Sequence, residues 1–217
     1  MFSNERVVLY VEASWSSPWV CVVHVVLCEK GIPFTTVTGM MGNGIGVVEV
    51  LHGRTYTGTA PVLQHDGFWL AESLAIVEYL EERFPEPRML PANLQDRARA
   101  RQLISWMRQE HEVLRKERPA ERIVYPYSVE PPPLSAAARR AADDLVRVAQ
   151  RLGADERGAV FGTFGVIDVD MAFALMRLIT TGHEVPAPLR AYAQSVWQRS
   201  SMREFIEHQR PPNAPKM

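Results

Sequence analysis

The stretch Val7-Val8-Leu9-Tyr10-Val11, followed by Glu12-Ala13-Ser14-Trp15-Ser16-Ser17-Pro18, decides how this chain is read. Five consecutive strand-forming apolar residues are what a sheet strand buried on both faces requires. The turn after them leads into an apolar helix from Trp19 to Lys30, with Pro18 suited to its first turn and Gly31 to its C-terminal cap. Ile32 to Val37 is β-branched and aromatic and predicts a second strand. Residues 39–58 are glycine-rich and weakly patterned and read as loop. Pro61 to Gln64, Asp66-Gly67 and Phe68 to Leu70 make a hairpin on a favoured turn dipeptide. Ser73 is placed to cap a helix over Leu74 to Phe84, whose apolar residues recur at 74, 76, 77, 80 and 84. The order is βαβ, then ββα.

Pro85-Glu86-Pro87 and Pro91 end that pattern and mark a boundary, giving an α/β domain over 1–86 and an all-helical one over 93–217. Beyond the boundary nothing reads as sheet. Leu94 to Arg118 predicts one long amphipathic helix, Pro119 to Pro133 a proline-rich connector, and Ser135 to Leu152 another helix. Gly165 to Thr181 is a mostly apolar helix, Pro188 to His208 two short ones, and Pro211 to Met217 a frayed tail.

Bulk properties narrow the partner. With 47% apolar residues the 217-residue chain has material for a sizeable core. Its 24 basic and 25 acidic side chains leave a net charge of −1, and no basic run points to nucleic acid. Cys21 and Cys28 are seven apart on one helix, about 10 Å along its axis, too far for a disulfide. The apolar run Val20 to Cys28 is interrupted by His24 and too short to span a bilayer, and the opening residues carry no signal-peptide core. The expectation is a soluble, cytoplasmic protein.

With its elements placed, the chain resembles the cytosolic glutathione transferases over nearly its whole length, and looks closest to bacterial Yfc-type members with a serine at the active turn. The residues that carry the likeness are Ser17-Pro18-Trp19, Ala60-Pro61-Val62-Leu63, Glu72-Ser73 before Ala75-Ile76-Val77-Glu78-Tyr79-Leu80, the run Arg97-Ala98-Arg99-Ala100-Arg101, and Asp168 early in the apolar helix. The resemblance implies a thioredoxin-like N-terminal domain, an all-helical C-terminal domain, a homodimer, and glutathione as co-substrate.

It also assigns roles. Glutathione reacts as its thiolate, whereas a free thiol near pKa 8.5 is mostly protonated at neutral pH. A serine hydroxyl can donate to the sulfur anion, and the open amides and dipole of the first helix add to that. Ser17 is the first candidate donor and Ser16 the alternative or helper; an ordinary helix cap is the competing reading of Ser17. A cis peptide between Ala60 and Pro61 would expose the Ala60 backbone to the cysteinyl portion; a proline merely opening a strand is the alternative. Glu72 would pair with the γ-glutamyl ammonium, and Ser73 with the first amides of its helix would bind the carboxylate, whether or not they also cap it. For the glycyl carboxylate Arg54 and His52 offer a basic group, with a solvated loop residue the commoner reading of each, and the pair of basic residues many relatives place before the cis-proline is missing.

Trp15, Trp19, Trp106 and Glu110 are candidates for the second-substrate site, with ordinary core the alternative for each. Arg108 and Arg115 could attract an anionic substrate, with a solvated helix face the default reading. Cys21 lacks a C-x-x-C partner and His24 lies on the apolar helix, so both read as core. The histidines at 52, 65, 111, 183 and 208 show no metal-ligand spacing, and no metal is expected. Asp168 is structural: where relatives place a hydroxyl residue at the cap, this chain has Gly165, and the aspartate bonds the exposed amides. The expected function is glutathione transfer to an electrophile or peroxide. The alternative is a non-catalytic binding or stress-regulatory protein on the same fold.

Overall fold

The computed structural model describes residues 6–39, 53–125, 127, 129–153 and 158–211. The chain divides into two compact units, Met1–Arg88 with Glu204–Met217, and Met89–Arg203.

The first unit is built on a four-stranded sheet, β1 (Val7–Glu12), β2 (Phe34–Gly39), β3 (Val62–His65) and β4 (Phe68–Ala71), in the order β2-β1-β3-β4. β1 pairs parallel with β2 and antiparallel with β3, and β3 pairs antiparallel with β4. The central β1 buries Val7, Val8, Leu9 and Val11, as its uninterrupted apolar run predicts. The second strand begins two residues later than expected. The Ile32 amide is used to close the preceding helix on the Leu27 carbonyl, and Pro33 has no amide to give a ladder. The hairpin is as expected, with positive φ at both Asp66 and Gly67.

Helix α1 (Pro18–Glu29) buries every residue from Val20 to Leu27 and ends at Gly31, whose φ is +62°. Lys30, just beyond it, is buried, donates to the carbonyls of Phe84 and Pro87, and pairs with Glu81 at 2.6 Å. Three acceptors for one buried ammonium tie α1 to the end of α2 (Ser73–Arg83). Two peptides are cis, Ala60–Pro61 as expected and Glu86–Pro87. The C-terminal segment from Glu204 groups with this unit instead of the helical one. The cause is Trp15, which stacks on His208 at 3.7 Å, packs on Phe205 at 5.7 Å, and receives Arg210 on its carbonyl.

The second unit holds α3 (Leu94–Glu110), α4 (Glu112–Glu117), α5 (Glu121–Val124), α6 (Ala136–Leu152), α7 (Val166–Thr180) and α8 (Ala187–Trp197); the last helix, α9 (Ser200–Ile206), begins in it. The single helix expected over Leu94–Arg118 is two. The Arg115 guanidinium donates to the carbonyls of Met107 and Arg108, the acceptors that residues 111 and 112 would use to continue the helix. The proline-rich connector also carries the short α5, an element its composition did not announce. Ser135 caps α6 by accepting the Ala138 amide.

The central α7 is almost wholly buried. Gly165 at its start lies so close to the preceding chain that a Cβ there would sit 2.6 Å from the Met89 carbonyl oxygen, which accepts the Val166 amide. Asp168 does the capping: its oxygens accept the amides of Val160 (2.7 Å) and Gly165 (2.9 Å) and the Tyr192 hydroxyl (2.7 Å). No helix among the described residues is long and apolar enough to cross a membrane.

Candidate glutathione-binding site

Strand register gathers the N-terminal candidates. Tyr10 on β1 faces Val62 on β3, and Val62 faces Ala71 on β4. The turn that follows β1, the Ala60–Pro61 peptide that precedes β3, and the Glu72-Ser73 pair that follows β4 therefore emerge at one end of the sheet. Residues scattered over sixty positions become neighbours because β3 runs antiparallel to both its partners.

At the turn, Ser17 is the N-cap of α1 and its oxygen accepts the Val20 amide at 3.4 Å, a long and weak cap. Accepting leaves the single hydroxyl hydrogen available, so capping and donation to a sulfur anion are compatible in one side chain. Ser17 is half-buried, whereas Ser16 is fully buried with its hydroxyl 2.8 Å from that of Ser14. The residue that sequence reasoning missed is Glu12. Its carboxylate, 8% exposed, accepts the amides of Ser16 (2.7 Å) and Ser17 (2.6 Å). Those two amides, which precede α1, are thus not open to an incoming anion. The Ser17 hydroxyl and the dipole of α1 can still serve an anion. An acid ending an apolar strand four residues before a serine is the only signal, and it is a faint one.

At the third corner, Glu72 rather than Ser73 occupies the cap position of α2. Its φ is +71°, its side chain makes no capping bond, and Ser73 is the first helical residue, buried. An extended-to-left-handed backbone at a glutamate is uncommon and costs of order 1–3 kcal/mol. In exchange its exposed carboxylate lies over the approach to Pro61, where Thr57 donates to it at 2.9 Å and Thr59 at 3.5 Å.

The remaining candidates fall elsewhere. Trp15, proposed to wall the site, is 2% exposed and taken up by its stacking on His208 and Phe205, so it shapes the turn from behind. Trp19 is half-buried. Trp106, edge-on to His111, and exposed Glu110 belong to the helical unit. Arg54 lies over the Trp69 ring at 4.7 Å; His52 lies outside the described residues. Cys21 and His24 are buried in α1, and burial holds the His24 imidazole below its ordinary pKa.

Comparison with known proteins agrees with this geometry. A family model described as glutathione S-transferase, N-terminal domain, matches residues 13–88, and one described as glutathione S-transferase, C-terminal domain, matches 93–210. A crystal structure of a glutathione transferase homolog from Burkholderia gl BGR1 with bound glutathione superposes with a TM-score of 0.74 and 34% identity, over 93% of this chain and 96% of that one. Among curated proteins, a glutathione S-transferase of Pseudomonas putida is 33% identical over 38% of this chain and 36% of its own length. A stringent starvation protein A homolog of Histophilus somni is 34% identical over 38% of this chain and 37% of its own length. The chain thus spans little more than a third of the length of these curated relatives. Two domain models in tandem and a near full-length structural match lead to one conclusion: this chain belongs to the glutathione S-transferase family.

Proposed function

We propose that the protein binds glutathione at the end of its sheet and stabilises the thiolate with the Ser17 hydroxyl for attack on an electrophile or hydroperoxide. The supporting observation is the register Tyr10–Val62–Ala71, which gathers a half-exposed hydroxyl, a cis-proline backbone and an exposed carboxylate. The Ala60 main chain would pair with the cysteinyl portion, Glu72 with the γ-glutamyl ammonium, and Ser73 with the first amides of α2 would take the carboxylate. Lowering the thiol pKa by one unit requires about 1.4 kcal/mol, within reach of one hydroxyl bond to an anion. Family likeness nominates Trp19, Trp106 and Glu110 as contacts for the second substrate, and a homodimer as the assembly.

The test is retention on immobilised glutathione with release by free glutathione, followed by turnover of a chlorodinitroaromatic and of cumene hydroperoxide. Retention and turnover are expected. Failure to bind would reject the proposal.

A second reading has its own observation. Glu12 puts a carboxylate behind the serine turn and occupies two amides, and a negative charge there would work against a thiolate bound at Ser17. A binding or stress-regulatory role, of the kind the name of the Histophilus relative suggests, would show retention without turnover.

A further inference from the structure

Away from the serine turn, α1 carries a second cluster that the proposed chemistry does not use. His24 and Cys28 are four apart and share a helix face. The Cys28 Sγ lies 3.8 Å from His24 Nδ1 and 3.9 Å from Nε2. Glu204, in the C-terminal segment of the same unit, brings its carboxylate to 3.8 Å from Sγ and 3.8 Å from Nε2. One donor atom from each residue lies within 4.8 Å of the other two. Donors held at about 2.0–2.3 Å from a tetrahedral zinc ion stand roughly 3.4–3.6 Å apart. The two 3.8 Å approaches of Glu204 use different oxygens, so closing the set on one of them takes a movement of that carboxylate, and the Glu204 side chain, 64% exposed, has the freedom to supply it.

We propose that His24, Cys28 and Glu204 form a three-ligand site for a divalent transition metal of the zinc class, with the fourth position open to solvent. An imidazole, a thiolate and a carboxylate suit a borderline-soft ion; magnesium and calcium prefer oxygen donors alone. On binding, the Cys28 thiol proton passes to solvent and the sulfur bonds the metal as thiolate, with no change of oxidation state. The ring of His24 is 4% exposed and fixed by Phe34 (5.5 Å), Phe205 (5.8 Å) and Trp15 (6.0 Å), so one ligand is pre-positioned while Glu204 leaves a path from solvent. This departs from the expectation of no metal. The spacing rules could not find the site, because its third ligand lies 176 residues from the cysteine.

The site has a structural consequence. Glu204 opens the segment whose Phe205, His208 and Arg210 hold Trp15, and Trp15 carries φ +46° two residues before Ser17. A metal joining α1 to Glu204 would pin that segment, and the serine turn beneath it, without touching a substrate. The inference is independent of the glutathione reading.

The test uses untagged full-length protein, stripped with a chelator in thiol-free buffer, and titrated with Co²⁺ as a spectroscopic probe. We expect one Co²⁺ per chain, an intense near-ultraviolet thiolate-to-cobalt charge-transfer band, and displacement by Zn²⁺. Cys28→Ser should abolish the band, Glu204→Gln should weaken binding at least tenfold, and Cys21→Ser should leave the band in place. Zn²⁺ should raise the melting temperature of the wild type and not of Cys28→Ser. No saturable binding by the folded wild type, or an unchanged band in Cys28→Ser, would overturn the proposal. Should Cys28→Ser not fold, Glu204→Gln decides: affinity equal to wild type overturns it.

Discussion

Two helices of this molecule begin in the same way and end up with opposite characters. At the start of α1, a carboxylate from the strand behind the turn accepts two main-chain amides, Ser16 and Ser17. At the start of α7, a carboxylate from within the helix accepts two, Val160 and Gly165. The difference lies in what surrounds the carboxylate. Asp168 has no exposure at all, and the Tyr192 hydroxyl donates a third bond to it; burial pushes its carboxyl up while the hydroxyl and both amides pull it back. Burial and the neighbouring carboxylate keep the Tyr192 hydroxyl protonated and hence a donor. Around Glu12 the turn instead leaves Ser17 half-exposed, with a long cap bond and an uncommitted hydrogen. A sealed network stabilises; a network left open at one hydroxyl leaves that hydroxyl available for the proposed role.

The largest effect should come from breaking the sealed member. Asp168→Ala would strand two amides and a tyrosine hydroxyl in the core, at about 1–3 kcal/mol for each unsatisfied group, a total of about 4 kcal/mol or more. Urea denaturation should show the midpoint collapsing; a loss under about 1 kcal/mol would mean the network is not what holds α7. Next comes Glu12→Gln, which keeps one acceptor oxygen and removes the charge. It should cost about 2 kcal/mol of stability, while the pKa of bound glutathione falls because the nearby anion is gone. A rise in that pKa would contradict the geometry. The smallest effect on stability belongs to Ser17→Ala, under about 1 kcal/mol because the cap is weak. Its rate loss should still be roughly 10- to 100-fold, as expected for a hydrogen bond to a charged group. A melting temperature that falls as far as in Asp168→Ala would make Ser17 a structural cap.

What was legible in the sequence was local. The apolar run of β1 and the Asp66-Gly67 turn each act through their own residues' conformational preference, and the structure places them as expected; the cis peptide at Pro61, also found, follows from the family resemblance and not from local preference. The helical unit was legible as helices but not in their breaks. His111 is no helix breaker; Arg115 interrupts the helix by taking two carbonyls, a side-chain event that periodicity does not encode. The cap of α2 was misplaced by one residue because Glu72 adopts a positive φ that its residue type disfavours. Glu12 was missed because it closes an apolar strand and acts on amides four and five residues ahead. The approach of Glu204 to α1 depends on tertiary structure alone.

The most direct measurement is an ultraviolet difference titration of the bound glutathione thiol, in wild type and Ser17→Ala. With Ser17 donating to the sulfur, the thiol should titrate at least one unit below the ordinary value of about 8.5 in the wild type, and return most of the way in the variant. The same midpoint in both proteins would contradict the assignment of Ser17.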